Sequence, residues 1–217
     1  MRLRLAVTVL LLAHPVVAQD CGAPPEKGGS VLLYVEGKDS SGRPYKNRQC
    51  VRREGERREV RTLAPSGGYL DLTVWEGRTT VQTWYDRHVP PKIVEYSIDL
   101  VAIEKIAPGR TLVHVMKIVS GKRVVKWTQT SRARGTRVVQ VGACKLDVVD
   151  FEHTNVGNGW TQQGSAVFAP AVGYAIALDY GPWVDRGAVN TSSRGDWRVV
   201  RIGDRDEARR LCDDFTS

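Results

Sequence analysis

From Tyr174 to Tyr180 large and small side chains take turns: Tyr174, Ile176, Leu178 and Tyr180 fall on one side, and Ala175, Ala177 and Asp179 on the other. A period of two is the mark of a β-strand with one face buried, because successive side chains leave a pleated strand on opposite sides. The bulky row is expected to pack on a core and the small row to lie under another layer. The same period places Val94, Tyr96, Ile98, Leu100 and Ala102 against Glu95, Ser97 and Asp99, which predicts one long strand over 94–102. Upstream of Tyr174, Val139 and Val141 lead into Gly142, and Cys144, Leu146 and Val148 then alternate with Lys145 and Asp147. That reads as a further strand beginning after a bend or bulge at the glycine. Thr154 to Gly164, rich in Gly and Asn and without an apolar period, reads as a surface connection.

Elsewhere short apolar or alternating runs are separated by turn signals such as Asp39-Ser40-Ser41-Gly42, Pro65-Ser66-Gly67-Gly68, Glu76-Gly77 and Ser120-Gly121-Lys122. Strands joined by tight turns are antiparallel neighbours, so the expected fold is all-β: an antiparallel meander sheet, half-barrel or open barrel, with a closed barrel as the variant. The end of the chain changes character. Asp204 followed by Glu207 has the form of a helix N-cap, and Leu211 and Phe215 share one helical face. A short C-terminal helix packing on the sheet is expected there.

Val141-Gly142-Ala143-Cys144-Lys145-Leu146, followed after a polar stretch by Phe168-Ala169-Pro170-Ala171-Val172-Gly173-Tyr174, resembles the C-terminal half of a family of mostly uncharacterised exported bacterial β-proteins. Ala171 stands where the family pattern has a glycine. The resemblance implies an exported β fold and brings no catalytic residues with it.

Residues 1–18 combine Arg2 and Arg4, the apolar run Leu5 to Ala13, and small residues before position 19, the arrangement of a secretory signal peptide. Its apolar run is far shorter than the roughly 20 residues that span a bilayer, so a single exported domain over 19–217 with no transmembrane segment is expected. The whole chain has a formal net charge of +8, and the first 18 residues hold two of its 32 basic side chains and none of the 24 acidic ones. A basic exported protein meets anionic or carbohydrate envelope components rather than nucleic acid. All four cysteines lie beyond the signal segment and none form a close pair of the kind metal sites use, so two disulfides are expected in an oxidising compartment. Termini of single domains tend to lie together. That pairs Cys21 with Cys212 and leaves Cys50 for Cys144.

No nucleophile elbow, zinc-binding histidine pair, phosphate loop or dinucleotide fingerprint is present. No cofactor or metal is implied. His88, His114 and His153 follow the signal segment without a motif around them, and Asp147, Asp150, Glu152 and His153 divide between the two faces of an extended strand. Basic and aromatic residues interleave more suggestively: guanidinium groups bind phosphate or carboxylate, and indoles stack on sugars or cover acyl chains. Arg52, Arg53, Arg57 and Arg58 on one hairpin, with Trp84 and Trp127 on strands, are the candidate ligand-binding residues. The reading that follows is a non-enzymatic envelope protein holding a lipid, a glycan or another anionic component in the concave face of its sheet. A hydrolase assembled from separate strands and a module binding another envelope protein are the alternatives, and the sequence does not fix the oligomeric state.

Overall fold

The computed structural model describes residues 29–39, 41–65, 68–85, 89–190 and 195–213. The expected signal segment, Cys21 and His88 lie outside them. Fourteen antiparallel strands form one sheet: β1 Ser30–Lys38, β2 Pro44–Glu54, β3 Arg57–Leu63, β4 Tyr69–Glu76, β5 Thr79–Trp84, β6 Lys92–Tyr96, β7 Thr111–Ser120, β8 Arg123–Val141, β9 Cys144–Val156, β10 Trp160–Ala169, β11 Tyr174–Tyr180, β12 Trp183–Asp185, β13 Ala188–Asn190 and β14 Gly195–Ile202. The strands follow one another round as a meander, β14 pairs with both β1 and β11, and β11 pairs with β10, so twelve of them close into a barrel. The expected half or open barrel is therefore corrected. Closure needs β14, which brings the last strand beside the first and leaves no free edge in the ring. Hairpin β12–β13 is not part of the ring and pairs through β12 with the first residues of β10.

Two local expectations are also corrected. The long strand over 94–102 stops at Tyr96, and helix α1, Leu100–Glu104, follows with the Asp99 side chain accepting from the Val101 N–H at 3.2 Å. An N-cap bond of this kind outweighs a strand period in so short a stretch. The further strand expected after a bend or bulge at Gly142 is β9, and Gly142, with φ of 58°, belongs to the tight turn joining β8 to it. Thr154 to Gly164 is strand except for residues 157–159. Its alternation is of polar side chains, which an apolar period cannot reveal.

The register assigns a face to each residue. Val31, Leu33 and Val35 of β1, Val51 of β2 and Val60 of β3 point into the barrel, where they meet Val199 and Ile202 of β14 and Leu146 and Val148 of β9. This apolar mass fills the interior at the end that carries α1. Beneath the helix, Ile103 and Ile106 pack on Ala133, Phe151 and Phe168. Arg58, buried on the inner face of β3, forms an ion pair of 2.5 Å with Glu104 and so fixes α1 across that end. Two internal glycines leave room for rings: a Cβ on Gly37 would strike the Tyr45 ring, and one on Gly164 the Tyr180 ring.

Outside the barrel, Leu32, Cys50 and Leu63 form an apolar patch covered by the C-terminal segment. Helix α2, Arg205–Ala208, starts with the expected capping box, Asp204 accepting from the Glu207 N–H at 2.8 Å and Glu207 from the Asp204 N–H at 3.2 Å. A π-helical turn, Arg209–Asp213, carries Cys212 onto β2, where it is bonded to Cys50 with a Cα–Cα distance of 5.6 Å. The pairings expected for Cys212 and for Cys50 are thus both corrected. Cys50 stands on the outer face beside Leu32, whereas Cys144 is buried in the interior core, so the barrel wall separates them. Cys144 is likewise disulfide-bonded.

Candidate functional site

Away from α1 the interior changes chemistry in layers. Along β8 the inward side chains run Ala133, Ser131, Gln129, Trp127. Ala133 lies opposite Phe151 in the apolar layer. In the next layer Ser131 faces His153, whose neighbour Gly164 pairs with Tyr180. In the third, His114, Gln129, Asn155 and Gln162 stand directly opposite one another across four strands, each at most 8% exposed. At the far end Trp127, Trp160 and Trp183 come together. This is the tryptophan end of the barrel.

The third layer is a chain of hydrogen bonds with a direction. Gln162 Nε2 donates to the backbone carbonyl of Gly181 at 2.9 Å, which leaves its oxygen to accept from Asn155 Nδ2 at 3.4 Å. Asn155 Oδ1 accepts from Gln129 Nε2 at 3.0 Å and from the Trp127 indole N–H at 3.2 Å. Gln129 Oε1 lies 2.9 Å from His114 Nε2, so that nitrogen carries the proton. His114 Nδ1 is then a bare acceptor, buried and without a partner among the described residues. Burial, partly offset by the bond to Gln129, pushes the His114 pKa down and favours this neutral form.

His153 Nδ1 lies 3.0 Å from the Ser131 hydroxyl, and its ring stacks on Phe151. Burial, helped by the nearby His114, holds its pKa down at about 4. Burial likewise pushes the Tyr180 hydroxyl up to about 12, so it remains a neutral phenol. A serine and a histidine within reach are two parts of a nucleophilic triad. Among the described residues no carboxylate bonds to His153, and Ser131 is fully buried. Nor does any group of three metal-binding side chains occur among the described residues.

Trp160 and Trp183 stack face to face, with centroids 4.3 Å apart and planes 6° from parallel, and Trp127 meets Trp160 at 6.1 Å. All three are half-buried. The Trp160 ring lies over Gly157, the first residue of the β9–β10 turn, where a Cβ would collide with it. Lys92 faces the same interior from β6, and burial lowers its pKa.

The residues singled out from sequence are distributed unevenly. Trp127 belongs to the polar layer through its bond to Asn155, and Trp84 is at the same end of the barrel on β5, opposite Asp71. The four arginines do not share a surface. Arg52 and Arg57 lie on the outer face, paired with Glu54 at 2.6 Å and Glu59 at 2.7 Å. Arg58 is inside, on Glu104, and Arg53, opposite it, is exposed and donates to the Gly55 carbonyl at 3.1 Å. Reasoning from sequence missed Gln129, Asn155, Gln162, Tyr180, Trp160 and Trp183 as one constellation. The available signal was the polar and aromatic period of two in Trp127, Gln129 and Ser131, matched by His153 and Asn155.

No family model and no curated protein matches the chain. Crystal structures similar to it in shape include the following two. One is a Bacteroides fragilis protein described as exported and with a YmcC-like fold (TM-score 0.44, 11% identity, 83% of this chain and 97% of that one). The other is the hypothetical lipoprotein YmcC from Escherichia coli (TM-score 0.42, 11% identity, 80% of this chain and 84% of that one).

Proposed function

We propose that this chain is a non-enzymatic, exported envelope protein that binds a glycan at the tryptophan end of its barrel. The observation that carries the reading is the contiguity of the Trp160–Trp183 stack with the amides of Asn155 and Gln162. Sugar rings present apolar faces that stack on indoles and hydroxyls that bond to amides, and a wall offering both suits them. An acyl chain fits less well, because the apolar half of the interior is already occupied by the barrel's own side chains. Titration calorimetry with neutral and acidic oligosaccharides tests the proposal. Saturable binding that falls at least tenfold in a Trp160→Ala, Trp183→Ala variant is expected. Wild-type heats no different from buffer with every glycan class would remove it.

The Ser131–His153 pair favours a hydrolase as a second reading. Turnover of an ester panel that is lost in Ser131→Ala would support it, and the absence of turnover in the wild type would leave the binding reading alone.

A further inference from the structure

On the outer surface, where β10, β11, β14, β1 and β2 run side by side, lies a trench of about 510 Å³ that the proposed glycan site does not use. Two rows of outward side chains form its walls. In one, Arg198 of β14, Glu36 of β1 and Lys46 of β2 are successive cross-strand neighbours. In the other, Asp179 of β11, Asp196 of β14 and Lys38 of β1 are. Between them runs a row whose side chains, Trp197 and Tyr45 included, turn into the barrel, so the floor is backbone. Rows on one face of a sheet are about 7 Å apart and five strands span about 19 Å. The trench is therefore long, narrow and crosses the strands.

Most of its charges face an opposite charge across the strands, as Arg198 and Lys46 face Glu36 and Lys38 faces Asp196, but one pair is arranged in a way folding does not explain. Asp179 and Asp196 stand directly opposite each other on adjacent strands, and like charges in that position destabilise a sheet. Asp196 has some relief, since one carboxylate oxygen accepts from the Lys38 backbone N–H at 2.9 Å. The Asp179 carboxylate, the Lys38 ammonium and the Arg198 guanidinium have no hydrogen bond or salt bridge among the described residues, whereas Lys46 pairs with Glu36 at 2.7 Å. Two acidic groups, Asp179 and Asp196, thus sit at the β11–β14 side, while β14, β1 and β2 carry Arg198, Lys38 and Lys46 with Glu36, which is paired with Lys46, among them. A ligand of one charge would meet repulsion at one side or the other.

We infer that this trench binds a short peptide carrying charges of both signs, its cationic group on Asp179 and Asp196 and its anionic group towards Lys38 and Arg198. A peptide lying across the strands places its backbone on the trench floor and its termini or side chains against the walls, and the volume is that of a small-ligand site. The inference is independent of the interior site. Fluorescence anisotropy with dye-labelled tetrapeptides tests it: one with a lysine and a glutamate, one with lysines only and one with glutamates only. The mixed peptide is expected to bind saturably and to lose at least tenfold in affinity in the Asp179→Asn, Asp196→Asn variant, and likewise in Lys38→Gln, Arg198→Gln. The Asn variant should melt no lower than the wild type, since it relieves a like-charge pair. No saturable binding, equal binding of the all-lysine peptide, or unchanged affinity in both variants would overturn the inference.

Discussion

The two ends of the barrel interior are built on the same strands and held together in opposite ways. At the α1 end, Leu33, Val35, Leu146 and Ile202 are fully or almost fully buried and touch one another through apolar surface. Such contact is non-directional, and each side chain contributes about in proportion to the area it loses to water. Toward the tryptophan end, His114, Gln129, Asn155 and Gln162 are nearly as buried, and each depends on a partner at a particular distance and angle. A buried polar group adds little net stability when bonded and costs much when its partner is lost. One end is tolerant in shape and strong in sum, while the other is specific and vulnerable at single atoms.

Three substitutions and one titration sharpen or break that contrast. Leu33→Ala should have the largest effect, about 3–5 kcal/mol by urea unfolding, because it combines lost burial with a cavity in a packed layer. Asn155→Leu should follow at about 2–3 kcal/mol despite its similar volume, since it leaves the Gln129 and Trp127 donors and the Gln162 oxygen unpartnered. If it is neutral, the polar layer is hydrated rather than interlocked, and the comparison fails. Acid should weaken the polar layer about as much. The folded protein keeps His153 neutral down to about pH 4, while the unfolded chain takes up that proton near 6.5. The unfolded state therefore binds more protons between these values, so stability is complete above pH 6.5 and falls as the pH drops towards 4, by about 3 kcal/mol. His114 shifts in the same direction. A His153→Gln variant should show a flatter pH profile in chemical unfolding, and an unchanged slope would place the titrating group elsewhere. Gln162→Ala should be the mildest, about 1 kcal/mol, because the Gly181 carbonyl it releases is near the end of the layer.

The same contrast explains what could be read from the sequence. The alternation of Tyr174, Ile176, Leu178 and Tyr180 marks β11 at once, and the Asp204–Glu207 spacing marks the helix cap, because both rest on strong local rules. In the β9–β10 hairpin Asn155 and Gln162 announce solvent when taken alone, so the sequence there reads as surface. Only cross-strand pairing shows that they face each other inside a closed wall. Barrel closure was hidden for a related reason, since it depends on β14 pairing with β1 across most of the chain length. The disulfide pairing failed because adjacency of termini says nothing about sides of the wall. Trp127 could be nominated from its residue type, but its neighbours Trp160 and Trp183 come from another strand and another hairpin.

The pairing of β1 with β14 also sets an order of events during synthesis. Leu33 lies opposite Ile202, so the seam of the barrel joins residues that leave a ribosome far apart in time. Local hairpins such as β2–β3 and β7–β8 can form as soon as each emerges, but β1 keeps an unpaired edge until the last strand arrives. For a chain delivered from its N-terminus, that exposed edge is the window in which another chain could capture it, and the window closes only when 195–202 is free to dock.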